Sequence, residues 1–321
     1  MDETRTDLTA FFDKMTQVRQ QISRVIVGQS DAVDLVLTAV LADGHVLIEG
    51  VPGVAKTLLA KLVARLVDAR YSRIQFTPDL MPSDVLGTMV FNMKTSEFDF
   101  HAGPVFSDII LADEINRAPA KTQAALFEVM EERQATIAGV RHDMGPLFTI
   151  IATENPVEQE GTYKLPEAQL DRFLMKINMG YPNADEEVEM LRRHQSDASF
   201  AKLAGIVPVL SKADLLSLRS YMDKVVVDDT LLRYVAAITG ETRHNRAVFL
   251  GASPRASVAL LKCSKAYALL QGRDFVTPDD IKRVAVPVLQ HRLILAAEAE
   301  MEGLTPAKVV AKLVGQVEVP K

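Results

Sequence analysis

Residues 46–57 read V-L-I-E-G-V-P-G-V-A-K-T, and this stretch limits the possible folds more than any other. The apolar run at 46–48 suits a buried central strand, while residues 58–66 have the apolar spacing of a helix. Gly50 and Gly53 allow the connecting backbone to turn, so that successive N–H groups point into one concavity beside the helix N-terminus. A concavity of this kind binds phosphate. The sequence therefore predicts a phosphate-binding loop formed by Gly50, Val51, Pro52, Gly53, Val54, Ala55, Lys56, Thr57 and Leu58.

Two residues of this loop carry the expected chemistry: Lys56 would reach the β- and γ-phosphates of ATP, and the Thr57 hydroxyl would hold Mg²⁺. The match to G-x-x-x-x-G-K-[ST] departs at Ala55, which stands where the pattern has glycine. Because alanine resists positive φ, the change is harmless if residue 55 already lies in the first helical turn, and we expect that it does. The alternative is an ordinary strand–turn–helix connection with a chance Lys-Thr pair. The strand and helix signals on both flanks favour the phosphate loop.

Length and charge indicate a soluble globular protein of about two domains, with 321 residues, 48% of them hydrophobic, and a net charge of −6. This charge disfavours an electrostatic nucleic-acid binder. The start M-D-E-T-R-T-D-L lacks a signal-peptide core and no run of about 18 apolar residues occurs, so we expect no membrane span and a cytoplasmic location. The single cysteine, Cys263, excludes an internal disulfide, and the six histidines lack metal-ligand spacing.

Polar side chains follow two further apolar runs. Asp113 and Glu114 end a buried-type strand at 109–112, where two carboxylates are costly unless a cation or a solvated site receives them. Asp113 would hold Mg²⁺, and Glu114 would polarise water for attack on the γ-phosphate; a solvated strand end is the alternative. Asn155 follows the apolar run 148–152, so it would lie at the same carboxyl edge as Asp113 and Thr57 and bond water or the γ-phosphate.

Strands and helices alternate from 46 to about 178, which predicts an α/β fold with a parallel sheet flanked by helices. After residue 183 only helical periodicity remains. We therefore predict an α/β core at 1–183, including an N-terminal helix, and a helical second domain at 184–321. Two segments interrupt the core pattern, an insertion at 77–106 and a hairpin at 135–147. Phe91, Phe98 and Phe100 in the insertion could form a substrate-contacting tip or the small cluster that holds the insertion together.

Two weaker signals accompany the phosphate loop. The turn formed by Val27, Gly28 and Gln29 precedes it by about twenty residues and could pack on an adenine ring, although an ordinary loop is an equal alternative. Arg255 begins a helix after Gly-Ala-Ser-Pro, where a positive charge opposes the helix dipole. A nearby anion such as ATP would rationalise it, and a solvated arginine is the alternative.

Five motifs occur in order along the chain: G-V-P-G-V-A-K-T, I-I-L-A-D-E-I-N-R-A-P, A-T-E-N-P, L-P-E-A-Q-L-D-R-F and G-A-S-P-R. Together they resemble a MoxR-type AAA+ ATPase, and the similarity covers nearly the whole chain. Because A-K-T is common in that family, the departure at Ala55 puts the assignment of the phosphate loop in little doubt. The resemblance implies a helix-2 insert at 77–106, a hairpin before sensor 1 at 135–147 and a lid domain at 184–321. It further implies Walker A at Lys56 and Thr57, Walker B at Asp113 and Glu114, sensor 1 at Asn155, an arginine finger at Arg172 and sensor 2 at Arg255.

The same resemblance implies rings, usually hexamers, and chaperone-like work on protein clients with von Willebrand A-domain partners, often in metal-cofactor insertion or enzyme maturation. It places Arg172 on the face opposite its own loop, where it would serve the neighbouring subunit in a ring. The alternative is a surface salt bridge from Arg172 to Asp171 or Glu167, worth about 0–1 kcal/mol.

Three functions compete at this point. The leading one is an ATP-driven protein remodeler in which hydrolysis moves the lid against the core and shifts the hairpins. A nucleic-acid motor or loader is the main rival. The two hairpins that we expect at 87–101 and 135–147, however, mix Lys94 and Arg141 with Glu97, Asp99 and Asp143, which makes no basic stripe. A nucleotide-gated scaffold without turnover would predict loss of Glu114, which is present.

Overall fold

The computed structural model describes residues 8–156, 163, 165–196 and 205–320. The first part of the chain forms α1 (Thr9–Val25), α2 (Ser30–Leu41), β1 (His45–Gly50), α3 (Lys56–Leu66), β2 (Tyr71–Gln75), α4 (Pro82–Leu86), β3 (Gly87–Asn92), β4 (Glu97–Ala102), β5 (Ile109–Asp113), α5 (Ala120–Glu132), β6 (Gln134–Ile137), β7 (Val140–Asp143), β8 (Thr149–Glu154), α6 (Glu167–Leu170) and β9 (Phe173–Met179). The second part forms α7 (Ala184–Ser196), α8 (Lys212–Tyr221), α9 (Asp229–His244), β10 (Val248–Leu250), α10 (Pro254–Leu270), α11 (Pro278–Leu289), β11 (Ile294–Leu295), α12 (Ala297–Met301) and α13 (Pro306–Gln316).

Five strands form the central sheet in the order β2-β5-β8-β1-β9, and every neighbouring pair is parallel. The inner strands β1, β5 and β8 are almost wholly buried, because helices cover both faces and their apolar runs leave no side for solvent. Parallel strands end at one edge, so the ends of β1, β5 and β8 meet there. The predicted α/β class with a helical second part is confirmed, apart from two short strands in that part, β10 and β11, that we did not expect.

The second part of the chain packs directly onto the sheet. One hydrophobic cluster continues from α1, α2 and α3 into α9, α10 and α11, with α10 against α2 and α11 against β9. Core and lid are therefore joined by a hydrophobic interface rather than a loose linker.

Both predicted hairpins form, β3 with β4 and β6 with β7. Phe100 of the first lies with its ring centroid 4.3 Å from that of His142 in the second, so the two hairpins contact each other. Phe91 and Phe98 form an edge-to-face pair with centroids 5.3 Å apart, yet they are 50% and 65% exposed. The Phe100 ring also lies 5.6 Å, centroid to centroid, from that of Phe106 and so helps to hold the insertion together, while Phe91 and Phe98 form an exposed apolar tip.

Candidate active site

The loop after β1 has the shape that phosphate binding requires. Gly53 has φ +89°, and a Cβ there would meet nothing within 4 Å, so the backbone borders open space. Gly50 is needed for a different reason, because a Cβ there would come within 2.5 Å of the Met179 carbonyl oxygen on β9. The two glycines therefore have different roles. Gly50 lets the loop pack on the sheet, and Gly53 leaves the outer side of the loop open.

Ala55 does not lie in the first helical turn as predicted. It has φ +66° and ψ +21°, which is left-handed backbone, and α3 begins only at Lys56. The expectation was wrong because the loop keeps the conformation for which the motif normally uses glycine, even though alanine stands here. A left-handed L-residue costs about 1–2 kcal/mol relative to right-handed backbone. The loop therefore tolerates alanine at the cost of holding it in left-handed backbone.

Lys56 lies between the ends of two strands. Its Nζ donates to the carbonyl oxygen of Gly50 at the end of β1 and, at 3.1 Å, to that of Glu154 at the end of β8. Partial burial lowers the pKa of Lys56, and the carboxylates of Asp113 and Glu114 oppose this shift. A half-buried ammonium that donates to carbonyl oxygens beside an open glycine loop fits an anionic phosphate group.

Asp113 is buried and forms the centre of a polar cluster. Its Oδ2 accepts from Thr57 Oγ1 at 3.2 Å, and its Oδ1 accepts from Thr153 Oγ1 at 2.5 Å. A hydroxyl oxygen beside a carboxylate is the hard oxygen donor set that Mg²⁺ prefers. Thr57 and Asp113 thus fit the predicted metal pair, and the chain would hold the ion through them.

Arg73 also contacts this carboxylate, and the sequence did not reveal it. Its Nε and Nη2 donate to Asp113 Oδ2 at 3.0 and 2.7 Å, which compensates the buried negative charge. Gln75, two residues on and therefore on the same face of β2, donates from Nε2 to Glu114 Oε2 at 2.8 Å. The available signal was the alternation of the polar residues Arg73 and Gln75 in the stretch 71–76, although nothing in the sequence placed that stretch beside residues 109–112.

Glu114 occupies an unusual backbone position. Its φ of +56° is left-handed, and its N–H donates to Thr153 Oγ1 at 2.9 Å. Its carboxylate is held by Gln75 and by an ion pair to Arg117 at 3.3 Å. Asn155 follows β8 and is buried. The carboxyl edge thus brings together Lys56, Thr57, Asp113, Glu114 and Asn155.

A cavity of about 480 Å³ adjoins the loop on the side of the N-terminal turn. Val27 and Gln29 line it together with Pro52, Leu58 and Tyr181. Gln29 Nε2 also donates to the Gly180 carbonyl oxygen at 2.8 Å, which fixes this wall. Gly28 stands behind the lining with φ +69°, and a Cβ there would come within 2.6 Å of the Glu186 carboxyl group. The turn at 27–29 is therefore placed to enclose a ligand that enters the loop.

Arg172 and Arg255 lie away from these residues. Arg172 directly precedes β9 and so lies at the amino edge of the sheet, where Glu131 Oε2 accepts from its Nε at 2.9 Å and its Nη2 at 2.6 Å. The predicted alternative partners, Asp171 and Glu167, do not pair with it in the described chain. Its guanidinium carbon is also 6.0 Å from the centroid of the Phe127 ring.

Arg255 lies in the first turn of α10 and lines the same cavity as Arg172, a space of about 470 Å³ that includes Gly44 and His45 at the start of β1. Arg255 is exposed, and within the described residues its guanidinium has no carboxylate partner. A cation at the start of a helix opposes the helix dipole, and the anion that would rationalise Arg255 stays a prediction. The structure does not bring Arg255 to its own phosphate loop, however, since that loop lies at the opposite edge.

The part of the chain that the structure describes has no helix long and apolar enough to cross a membrane.

Comparison with known proteins agrees with this geometry. The profile of the ATPase family associated with various cellular activities (AAA) matches residues 45–175, and that of the AAA lid domain matches residues 240–313. A crystal structure from Cytophaga hutchinsonii superposes with a TM-score of 0.89 at 40% identity, covering 98% of this chain and 97% of the other.

Three relatives match almost the whole chain. YeaC of Bacillus subtilis is 46% identical over 94% of this chain and 93% of its own, and Chaperone MoxR1 of Mycobacterium tuberculosis is 44% identical over 94% of this chain and 81% of its own. Protein MoxR of Methylorubrum extorquens is 31% identical over 97% of this chain and 95% of its own. With the phosphate loop, the acidic strand end and the lid in place, the chain belongs to the MoxR family of AAA+ ATPases.

Proposed function

We propose that this ATPase works as a head-to-tail ring, with six subunits as the expected number, and uses ATP hydrolysis to remodel protein clients. The observation that carries the proposal is the separation of two cations from their own phosphate loop. Arg172 precedes β9, whose seven residues span about 20 Å at roughly 3.3 Å per residue. That distance exceeds the reach of an arginine side chain. Arg172 and Arg255 could therefore serve only a nucleotide that a second subunit presents to their cavity.

Each residue of the carboxyl edge has a role in this proposal. Lys56 holds the β- and γ-phosphates, and Thr57 and Asp113 hold Mg²⁺, which would neutralise phosphate charge. Glu114 takes the proton of the attacking water, and Asn155 orients that water. Residues 50–58 cradle the phosphates, while Val27, Gly28 and Gln29 enclose the adenine.

The neighbouring subunit completes the site. Arg172 and Arg255 would stabilise the charge that develops on the transferred phosphoryl group, a contribution of about 10³–10⁵ in rate for an arginine finger. Heterologous contacts of this kind close into a ring when the rotation between subunits allows it. The Glu131 pair then holds Arg172 ready until a phosphate competes for it.

The hydrophobic interface between lid and core favours one form of the motion. Large apolar interfaces restrict relative domain movement. In place of the lid-against-core motion expected from the sequence, we therefore infer that one subunit's core and lid move together against its neighbours, and that the exposed Phe91–Phe98 tip moves with them. The division into domains at residue 183 stays a prediction.

The proposed clients, partner and location are inferred from the family alone. Relatives named chaperone and MoxR support a chaperone-like role with a von Willebrand A-domain partner in enzyme maturation or metal-cofactor insertion, in the cytoplasm. A Glu114→Gln variant, which should bind ATP but hydrolyse it slowly, would hold such clients and partners long enough for capture and identification.

The test of the ring is the dependence of hydrolysis on protein concentration. Turnover per subunit should rise steeply as rings assemble, with assembly followed by sedimentation of the same samples. Arg172→Ala and Arg255→Ala should bind ATP normally and hydrolyse it poorly, whereas Arg233→Ala, which removes an exposed cation from α9, should match the wild type. Turnover per subunit that stays constant from monomer to ring would contradict the proposal. Strong stimulation by single-stranded DNA would favour the nucleic-acid motor instead.

A further inference from the structure

The turn after α11, residues 290–292, lies against β9, which is an edge strand of the described sheet. An edge strand exposes unpaired backbone groups, and here lid side chains cover them. Gln290 Nε2 donates to the Lys176 carbonyl oxygen at 2.6 Å, and the His291 ring nitrogen Nε2 lies 2.9 Å from that of Phe173. The lid is therefore attached to the strand that Arg172 precedes.

Arg292 makes the densest set of these contacts and is almost fully buried. Its Nε donates to Asp171 Oδ1 at 2.7 Å, its Nη2 to the carbonyl oxygens of Asp171 at 3.3 Å and Phe173 at 2.7 Å, and its Nη1 to that of Leu174 at 3.2 Å. These acceptors lie on both sides of Arg172 in the chain. One guanidinium thus holds the backbone immediately before and after Arg172.

The chemistry of this contact makes it rigid. A planar guanidinium offers five N–H donors in a fixed fork, so several acceptors can be satisfied only in one arrangement of the segment. A buried charge without these partners would cost far more than a surface one, because desolvation has to be offset by hydrogen bonds. The segment that carries Arg172 is therefore fixed by a residue that belongs to the lid.

We propose that Arg292 is a positioning residue: it orients Arg172 toward the neighbouring subunit's nucleotide and fixes its spacing from Arg255. Arg255 begins α10, which packs on α11, so Arg255 and Arg292 belong to one lid unit. Arg172 comes from the core. The Arg292 contacts to Asp171, Phe173 and Leu174 join the two cations into one frame. This inference rests on the proposed function, in which both cations act on a neighbour's ATP.

The chain offers a matched control for simple loss of lid docking. Gln290 also ties the lid to β9, through Lys176 and through a 3.2 Å bond from Asn178 Nδ2 to Gln290 Oε1, but its partners lie farther along the strand from Arg172. Gln290→Ala should therefore loosen the same interface without releasing residues 171–174. A role for Arg292 in docking alone predicts equal effects of the two substitutions.

The first measurement is steady-state hydrolysis by Arg292→Lys, which keeps the charge but loses the fork. Turnover should fall by about 10- to 100-fold, since displacing a catalytic group by about 1 Å can cost 100-fold. ATP affinity measured by calorimetry should be unchanged, because the variant's own phosphate loop is intact. Gln290→Ala should stay close to the wild-type rate. Loss of ATP affinity in Arg292→Lys, or equal loss of turnover in Gln290→Ala, would overturn the proposal.

The second measurement mixes subunits. Lys56→Ala subunits have a defective loop but an intact Arg172 segment, so adding them to Arg292→Lys subunits should restore hydrolysis at mixed interfaces. Adding Arg172→Ala subunits should restore nothing, because both variants lack a working finger. No recovery with Lys56→Ala, under conditions where Arg172→Ala recovers, would show that Arg292 acts within its own subunit and would refute the inference.

Two outcomes separate this inference from the function on which it rests. If Arg172→Ala hydrolyses ATP like the wild type, the proposed finger fails and the positioning role fails with it. If Arg172→Ala is inactive but folded Arg292→Lys is fully active, only the positioning role fails. Should Arg292→Lys not fold, Asp171→Asn provides the test, since it keeps the size of the acceptor but removes its charge. Turnover of Asp171→Asn equal to the wild type would then refute the inference.

Discussion

Replacing Ala55 with glycine should stabilise the protein slightly, although glycine normally weakens a structure. The Ala55 backbone is left-handed, with φ +66°, which costs an L-residue about 1–2 kcal/mol. Glycine avoids this cost but gives the unfolded chain more freedom, worth about 0.4–1 kcal/mol in the opposite direction. The difference predicts that Ala55→Gly raises the free energy of unfolding by roughly 0.5–1 kcal/mol.

The matched control is Ala124→Gly, which changes an exposed alanine in the interior of α5. There glycine gains nothing and should lower the free energy of unfolding by about 1 kcal/mol. Both variants are compared with the wild type by urea denaturation followed by circular dichroism. Ala55→Gly should also keep its affinity for ATP, since the loop shape is retained. If Ala55→Gly is destabilised as much as Ala124→Gly, residue 55 is not left-handed in solution and the loop geometry described above is wrong.

The other predictions concern the carboxyl edge and acid stability. Lys56→Ala should lose ATP affinity in calorimetry, because the phosphates lose their cation. Glu114→Gln should keep ATP affinity and lose turnover. Hydrolysis by Glu114→Gln at the wild-type rate would show that another residue is the general base. Gln75→Leu should change turnover but not ATP affinity, because only the Glu114 carboxylate loses a partner; loss of affinity would show that Gln75 acts on binding. Burial lowers the pKa of His45 from 6.5 to about 4, and its Nδ1 accepts from the Ile150 N–H, so the folded state holds the neutral ring. As the pH falls, the unfolded state therefore binds a proton before the folded state does. His45 should lower the free energy of unfolding by about 2 kcal/mol between pH 7 and pH 5. Urea denaturation should show this loss in the wild type but not in a His45→Gln variant.

The sequence predicted the residues that meet at the carboxyl edge because strand ends carry their own signals. Asp113 and Asn155 each follow an apolar run, and parallel strands bring such ends together whatever the rest of the chain does. The glycines of the loop could be assigned because a strand signal precedes them and a helix signal follows them. Ala55 could not, because the residue type argues against positive φ and only the closed loop imposes it.

Contacts between distant segments were not predictable in this way. The Arg73 guanidinium on β2 compensates the charge of Asp113 on the neighbouring strand β5. Arg292 donates to Asp171, which lies 121 residues earlier in the chain. No local pattern reports such a pairing. The position of Arg255 depends on how the lid docks on β9, and that docking follows from the packing of α10 and α11 on the core rather than from any motif.

In the proposed ring one subunit's arginine completes its neighbour's site, and mixing two inactive variants shows whether it does. Lys56→Ala lacks a working phosphate loop and Arg172→Ala lacks the finger, so each alone should hydrolyse ATP poorly. In mixed rings, verified by co-purification of two different tags, some interfaces pair an intact loop with an intact Arg172. Hydrolysis should then return in proportion to the fraction of such interfaces. Mixed rings that form but stay inactive, together with an Arg172→Ala variant that is active alone, would show that Arg172 does not act on the neighbouring subunit.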